Sequence, residues 1–208
     1  MSAAVEAALI RHGLPNRVEG VVKPDPGLTA NAFEQARAVA EAMVLLPVRT
    51  IASSRLHRAL QTAEKLGLAV DVHDDLAGFD SGADFYIPIE DTIAEADPRL
   101  YRWQELMAAP DIKNAMAEFR HRATNAVGRV AAGTREGVAA IFCHGEVIGA
   151  CVEKAVGDVG PALTDPHYGS MTRIAIEANG QWKLLTYNEI HHIEPLVAGR
   201  EERHEFSR

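Results

Sequence analysis

Residues 7–14 read Ala7-Ala8-Leu9-Ile10-Arg11-His12-Gly13-Leu14, an apolar run that breaks at an arginine, a histidine and a glycine. A short apolar run with such a boundary fits a strand buried on both faces of a sheet, which is the habit of parallel α/β architecture. The arrangement recurs twice. Thr50 to Ser54 runs into Arg55 and Arg58, and Val138 to Cys143 runs into His144 and Gly145. In an open parallel sheet the carboxyl ends of the strands share one edge, where crevices form, so residues distant in sequence can meet there. The spacing permits a single pocket holding Arg11, His12, Arg58 and His144. Two guanidiniums offer planar, permanently charged forks suited to phosphate oxygens, and a neutral imidazole offers a nucleophile or base near neutral pH.

The intervening segments supply helices and further strands. Leu28 to Leu46 carries apolar residues at helical spacing, with Thr29 as N-cap and Pro47 as terminator. Leu56 to Leu66 reads as a helix closed by Gly67, and Leu68 to Val72 as another strand. Ile112 to Ala132 is the longest helical pattern, ended by Gly133, and a helix from about Glu146 to Val156 follows the strand Val138 to Cys143. Met171 to Glu177 and Gln181 to Tyr187 flank Asn179-Gly180, a hairpin signal. This alternation predicts one domain over residues 1–208, a three-layer α/β/α sandwich with a mostly parallel central sheet.

The 208 residues, 47% hydrophobic and 24% charged, can bury a sizeable core. A net charge of -8 argues against binding of nucleic acid or anionic membrane, which needs clustered Lys and Arg. Met1 to Glu6 has no basic segment ahead of its apolar stretch, and no apolar segment approaches the roughly 20 residues of a bilayer crossing. A cytoplasmic location is the expectation. Cys143 and Cys151 suit core thiols rather than a disulfide framework or a zinc cage. From Leu66 to Pro98 there is no Lys or Arg, whereas Asp71, Asp74, Asp75, Asp80, Asp84, Glu90, Asp91, Glu95 and Asp97 crowd the segment. It predicts an irregular acidic lid over about residues 74–110, with Tyr86, Tyr101 and Trp103 packing it down or lining a leaving-group site. Arg120, Arg122 and Arg129 are expected to decorate a helix face. His191, His192 and His204 lie in a polar tail, about residues 190–208, without carboxylate or cysteine spacing for a metal.

The ordered set Leu9-Ile10-Arg11-His12-Gly13, Ser53-Ser54-Arg55-Leu56-His57-Arg58-Ala59-Leu60-Gln61-Thr62-Ala63-Glu64 and Phe142-Cys143-His144-Gly145 resembles the histidine phosphatase superfamily, which includes the phosphoglycerate mutases. Asp25-Pro26-Gly27-Leu28-Thr29 resembles that family's segment before its first helix. The resemblance implies a phosphomonoester hydrolase acting on a small phosphorylated metabolite, with His12 as the nucleophile that becomes phosphohistidine. It implies Arg11, Arg58, His144 and Gly145 as the phosphate-binding set, and neither metal nor cofactor. A homodimer stays open.

Two departures accompany the resemblance. The family's proton-donating glutamate, two residues after a leucine and four before a glycine, falls between Leu76 and Gly82 on Gly78. General acid catalysis is typically worth about 10²- to 10⁴-fold, so a replacement is needed. Asp80 is the first candidate, because residues two apart in an extended segment point the same way; a turn-forming aspartate is its alternative, and Asp84 is second. Glu146, in the first turn of a helix, is expected to stay ionised and to bond His144 or a substrate hydroxyl. After the first motif, Leu14, Pro15 and Val18 replace the family's usual residues, and Asn16 or Arg17 could contact phosphate from a shifted loop or face solvent in a turn. The alternatives are mutase-like phosphoryl transfer and, because of Gly78, a phosphate- or phosphoprotein-binding pseudoenzyme.

Overall fold

The computed structural model describes residues 4–16, 25–82, 86, 99–157 and 166–196, with backbone alone for Arg99, Leu100, Arg102 and Trp103. The first strand, β1 (Val5–Arg11), is followed by α1 (Ala30–Val44), β2 (Val48–Ser54) and α2 (His57–Ala63), which tightens into a 3₁₀ turn at Glu64–Leu66. Next come β3 (Asp71–His73), a 3₁₀ turn at Asp74–Leu76, α3 (Arg99–Met107) and α4 (Ile112–Gly133). The described chain closes with β4 (Val138–Cys143), α5 (Gly145–Val156), β5 (Met171–Ile176) and β6 (Trp182–Glu189).

The strands form one sheet in the order β3-β2-β4-β1-β5-β6. β1 through β4 run parallel, and β5 is antiparallel to both β1 and β6. β4 lies between β2 and β1, and every one of its residues is buried. Its side chains alternate between two cores, as the two-residue period of a strand requires. Ala139, Ile141 and Cys143 join Ala7 and Leu9 against Phe119, Ala123 and Val127 of α4 and Val147, Ile148 and Cys151 of α5. Val138, Ala140 and Phe142 join Ala8 and Ile10 against Val39 and Met43 of α1. This is the expected three-layer α/β/α arrangement. Each large apolar side chain so enclosed contributes roughly 1.5–3 kcal/mol on leaving water.

Local signals account for many of the boundaries. The Thr29 hydroxyl accepts from the Ala32 amide at 3.2 Å, so α1 begins at Ala30, two residues after the periodic run starts. Asn179-Gly180 does turn the hairpin: Gly180 has φ +83° and the Gln181 amide donates to Asn179 Oδ1 at 2.9 Å.

Elsewhere the structure corrects the sequence reading. The strand expected at Leu68–Val72 begins only at Asp71, opposite Ala52; Leu68 and Val72 are exposed at the sheet edge, so their apolarity did not mark burial. The acidic lid is not irregular throughout, because Arg99–Met107, rich in helix formers, makes α3, and Tyr101 there is exposed rather than packed. The C-terminal segment is not simply a polar tail: Ile193 is fully buried against the α1 side of the sheet, and His192 Nε2 lies 2.9 Å from the Gly169 carbonyl. Asp84, Arg17 and His204 lie outside the described residues, as do residues 83–85 and 87–98 of the lid. Among the described residues no helix is long and apolar enough to cross a membrane.

Candidate active site

The strand order places the ends of β2, β4 and β1 side by side, with Arg11 in register with Cys143 and Ser53 with Phe142. His12 and His144 are the residues just beyond β1 and β4, and Arg58 sits in the first turn of α2, just after β2. Their side chains meet. The His12 and His144 rings are 5.1 Å apart, and Arg58 Nε donates to His12 Nε2 at 3.2 Å. Arg11 joins from the other side, its guanidinium 4.0 Å from the centre of the Tyr168 ring, which in turn lies 5.4 Å from the His12 ring. The four residues Arg11, His12, Arg58 and His144 are 6%, 2%, 1% and 1% exposed. Gly145 brings the start of α5 against this group; a Cβ added there would sit 3.6 Å from Arg11 Cζ.

The tautomer of His12 follows from its partners. Nδ1 lies 2.8 Å from the Gly13 carbonyl oxygen, which can only accept, and Nε2 faces a guanidinium, which can only donate. Nδ1 therefore carries the proton and Nε2 the lone pair. Burial first, then the charges of Arg58 and Arg11, hold His12 well below the ordinary histidine pKa, so the ring is neutral. His144 is lowered likewise by burial and by Arg58. Its Nε2 is 2.9 Å from Ser54 Oγ, while its Nδ1 is buried without a hydrogen-bond partner among the described residues.

Supporting residues invisible to motif reading fix the frame. The Gly13 amide donates to Thr62 Oγ1 at 3.0 Å, and the same hydroxyl donates to the Arg58 carbonyl at 2.7 Å, tying the first motif to α2. Asp25 accepts from the His57 amide at 3.0 Å and stands 3.6 Å from Arg58 Nη1. Tyr86 packs its ring 4.4 Å from the Arg58 guanidinium, and its hydroxyl meets that of Tyr168 at 3.4 Å. Asn16 is exposed, and its amide donates to the Gly27 carbonyl at 2.6 Å, so the structure shows it in a solvent-facing loop.

Two further corrections concern the entrance. Arg122 does not decorate a surface: its guanidinium donates to the carbonyls of Asp75 and Ala77 at 2.8 and 3.1 Å, and Arg129 pairs with the Asp75 carboxylate. They anchor the segment Gly78-Phe79-Asp80-Ser81-Gly82 over the site. Asp80 accepts from Arg58 Nη2 through both oxygens, at 3.1 and 3.3 Å. A Cβ at Gly78 would meet Asp80 Oδ1 at 2.7 Å, His144 Cγ at 3.2 Å and Glu146 Oε2 at 3.4 Å. Contrary to the helix-dipole expectation, Glu146 does not keep an ordinary carboxylate pKa. Enclosure by protein and the nearby Asp80 charge raise it to about 7, although the side chain keeps a solvent-exposed face that tempers the desolvation.

Among the described residues no group of three or more His, Cys, Asp and Glu is placed to hold a metal ion. A separate shallow cavity lined by Lys154, Glu177, Gln181, Trp182 and Lys183 lies at the β5–β6 turn. Val5 pairs with Ile176 there, at the amino end of β1, the opposite sheet edge from the two histidines.

Two neutral buried imidazoles flanked by two guanidiniums lie at the carboxyl edge of a mostly parallel sheet in an α/β protein, an arrangement whose chemistry suits a compact oxyanion. The chain belongs to the histidine phosphatase superfamily (branch 1), whose sequence model matches residues 7–190. Among solved structures it is similar to a phosphoserine phosphatase mutant from Entamoeba histolytica in complex with phosphoserine, at TM-score 0.67 and 18% identity, covering 91% of this chain and 99% of that one. A mycobacterial glucosyl-3-phosphoglycerate phosphatase in complex with VO3 aligns at TM-score 0.66 and 24% identity, covering 88% and 98%. A phosphoglycerate mutase from Bacillus anthracis aligns at TM-score 0.68 and 16% identity, covering 94% and 98%. No curated protein matches the sequence.

Proposed function

We propose that the protein is a phosphomonoester hydrolase that acts on a small phosphorylated metabolite through a phosphohistidine on His12. The observation that carries this reading is the His12 tautomer: with Nδ1–H held by the Gly13 carbonyl, Nε2 presents its lone pair among Arg11, Arg58 and His144. A neutral imidazole so oriented is a competent nucleophile, and covalent transfer divides one difficult displacement into two easier ones. Nε2 attacks phosphorus as the ester P–O bond breaks; water then attacks the phosphohistidine, breaking the N–P bond and releasing inorganic phosphate.

Phosphoryl transfer depends mainly on positioning and on preorganised positive groups around the equatorial oxygens. Arg11 and Arg58 supply fixed charge, His144 Nδ1, without a hydrogen-bond partner among the described residues, supplies a hydrogen-bonding position, and the first amides of α5 supply a helix N-terminus. The side chains suffice for this chemistry, with no metal or cofactor. Two of the aligned proteins are named as phosphatases of small phosphorylated compounds, which agrees with the substrate class. The carboxylates of Asp25 and Asp80 beside Arg58 would repel a polyanionic leaving group, which favours a neutral or cationic one.

Rapid quenching into alkali after mixing with radiolabelled aryl phosphate tests the mechanism. Wild type should yield an acid-labile phosphoenzyme and His12→Ala none. Label that persists in His12→Ala, or wild-type hydrolysis without any trapped label under single-turnover conditions, rejects the phosphohistidine. Isomer interconversion of a phosphoglycerate without released phosphate would point to the mutase instead, and phosphate binding without turnover to a pseudoenzyme.

A further inference from the structure

The space vacated at Gly78 is occupied. Asp80 Oδ1 and Glu146 Oε2 approach the position of its missing Cβ to 2.7 and 3.4 Å, beside His144. Two carboxylates thus converge where the family's acid side chain would begin, one from the lid and one from the first turn of α5. We propose that Glu146 is the proton donor to the leaving oxygen, with Asp80 as the positioning residue that keeps the proton on it. The proposal rests on the phosphohistidine reading above.

The division of labour follows from the partners. Both oxygens of Asp80 accept from Arg58 Nη2, with Asp25 3.6 Å from the neighbouring Nη1; burial raises the Asp80 pKa and the Arg58 charge opposes that rise, so of the two carboxylates we assign the negative charge to Asp80, the one in direct contact with a guanidinium. Glu146 faces that fixed negative charge and its own backbone amide; Arg11 and Arg58 oppose the effect from further off, and His144 beside it is neutral. Enclosure first, then like charge, outweigh the backbone amide and the cations, leaving an acid that is protonated below about pH 7. When His12 Nε2 bonds to phosphorus, the Glu146 proton passes to the ester oxygen as the P–O bond breaks, and a neutral alcohol departs. The resulting carboxylate then takes a proton from the water that attacks the phosphohistidine, which restores the acid.

The test compares kcat/KM, which reports formation of the phosphoenzyme, for p-nitrophenyl phosphate and for glycerol 2-phosphate. A nitrophenolate leaves without help; an alkoxide does not. Glu146→Gln should lose about 100-fold or more on the alkyl ester and little on the aryl ester. Glu146→Asp should recover part of the loss, and Asp80→Asn should move the basic limb of the alkyl-ester pH profile to lower pH. Equal loss on both esters, or loss on neither, overturns the proposal. If Glu146→Gln does not fold, the wild-type profiles decide. A basic limb near pH 7 for glycerol 2-phosphate but not for the aryl ester supports the donor, and coincident profiles reject it. Wild type that forms phosphohistidine and hydrolyses only the aryl ester has no donor and leaves the proposed function standing; wild type that forms no phosphohistidine removes both.

Discussion

At the level of single residues, the site is governed by two titrations of opposite sense. In the proposed mechanism His12 attacks as the neutral ring, and its pKa lies well below the ordinary 6.5, so kcat/KM should rise with pH through that low value and be level by about pH 6.5. As the proposed donor Glu146 acts in its protonated form, so the alkyl-ester rate should fall above about pH 7. The same shift leaves a mark on stability. Because the folded pKa of Glu146 is raised, the unfolded chain releases this proton first, and wild type loses stability as pH climbs from about 4.5 to about 7. Glu146→Gln removes that loss, so the melting temperature of the variant minus that of wild type should increase across this window. A difference that is flat with pH would mean that Glu146 titrates normally. Arg58 connects His12 to the neighbour of Glu146, since one guanidinium touches both His12 Nε2 and Asp80. Arg58→Lys keeps the charge but loses the fork, and should lower kcat/KM on aryl and alkyl esters alike.

At the level of elements, what could be read in advance was whatever a short window contains. The ends of β1 and β4, the Thr29 cap and the Asn179-Gly180 turn each lie within a few residues, and each is where the pattern put it. Strand order is non-local, and β4 comes to lie between β1 and β2 through crossovers that no window records. The same holds for Glu146: its place on α5 argues for an ionised carboxylate, and enclosure by the fold, together with Asp80 arriving from the lid, reverses that. Arg122 and Ile193 depart from the sequence reading because the groups they meet come from distant segments. One stricter local requirement did not announce itself as such. Gly137, ahead of β4, has φ +85°, and a Cβ there would stand 2.5 Å from the Pro47 carbonyl oxygen. Gly137→Ala should therefore destabilise the fold by at least about 1–3 kcal/mol in urea unfolding, with the active-site ratio of aryl to alkyl rates unchanged. An unaltered midpoint would mean that the β2–β4 entry relaxes freely.

At the level of the whole molecule, the two histidines and Arg11 are held at the carboxyl edge of the sheet and Arg58 by the first turn of α2, but the carboxylates are held from two sides. Glu146 belongs to α5 and moves with the core, whereas Asp80 depends on a short segment whose anchor is the Arg122 guanidinium of α4. Phe79 adds an edge-on contact with Phe119 of the same helix, at 5.5 Å. Helix α4 thus connects the packing of the α4–α5 core to the position of the Asp80 charge, about one helical layer away from any reacting atom. Replacing Arg122 with Gln should cost about 1.5–3 kcal/mol of stability, because two charge-assisted bonds to backbone carbonyls are lost. Release of the segment should also speed hydrogen exchange at the Ala77 and Ser81 amides, which bond the Asp74 and Gly78 carbonyls. The decisive consequence is chemical: with Asp80 no longer fixed, Glu146 should acidify, and the basic limb of the alkyl-ester profile should move below pH 7 while aryl-ester turnover is retained. A variant that loses stability yet keeps that limb in place would show that Asp80 is positioned by Arg58 alone, independently of α4.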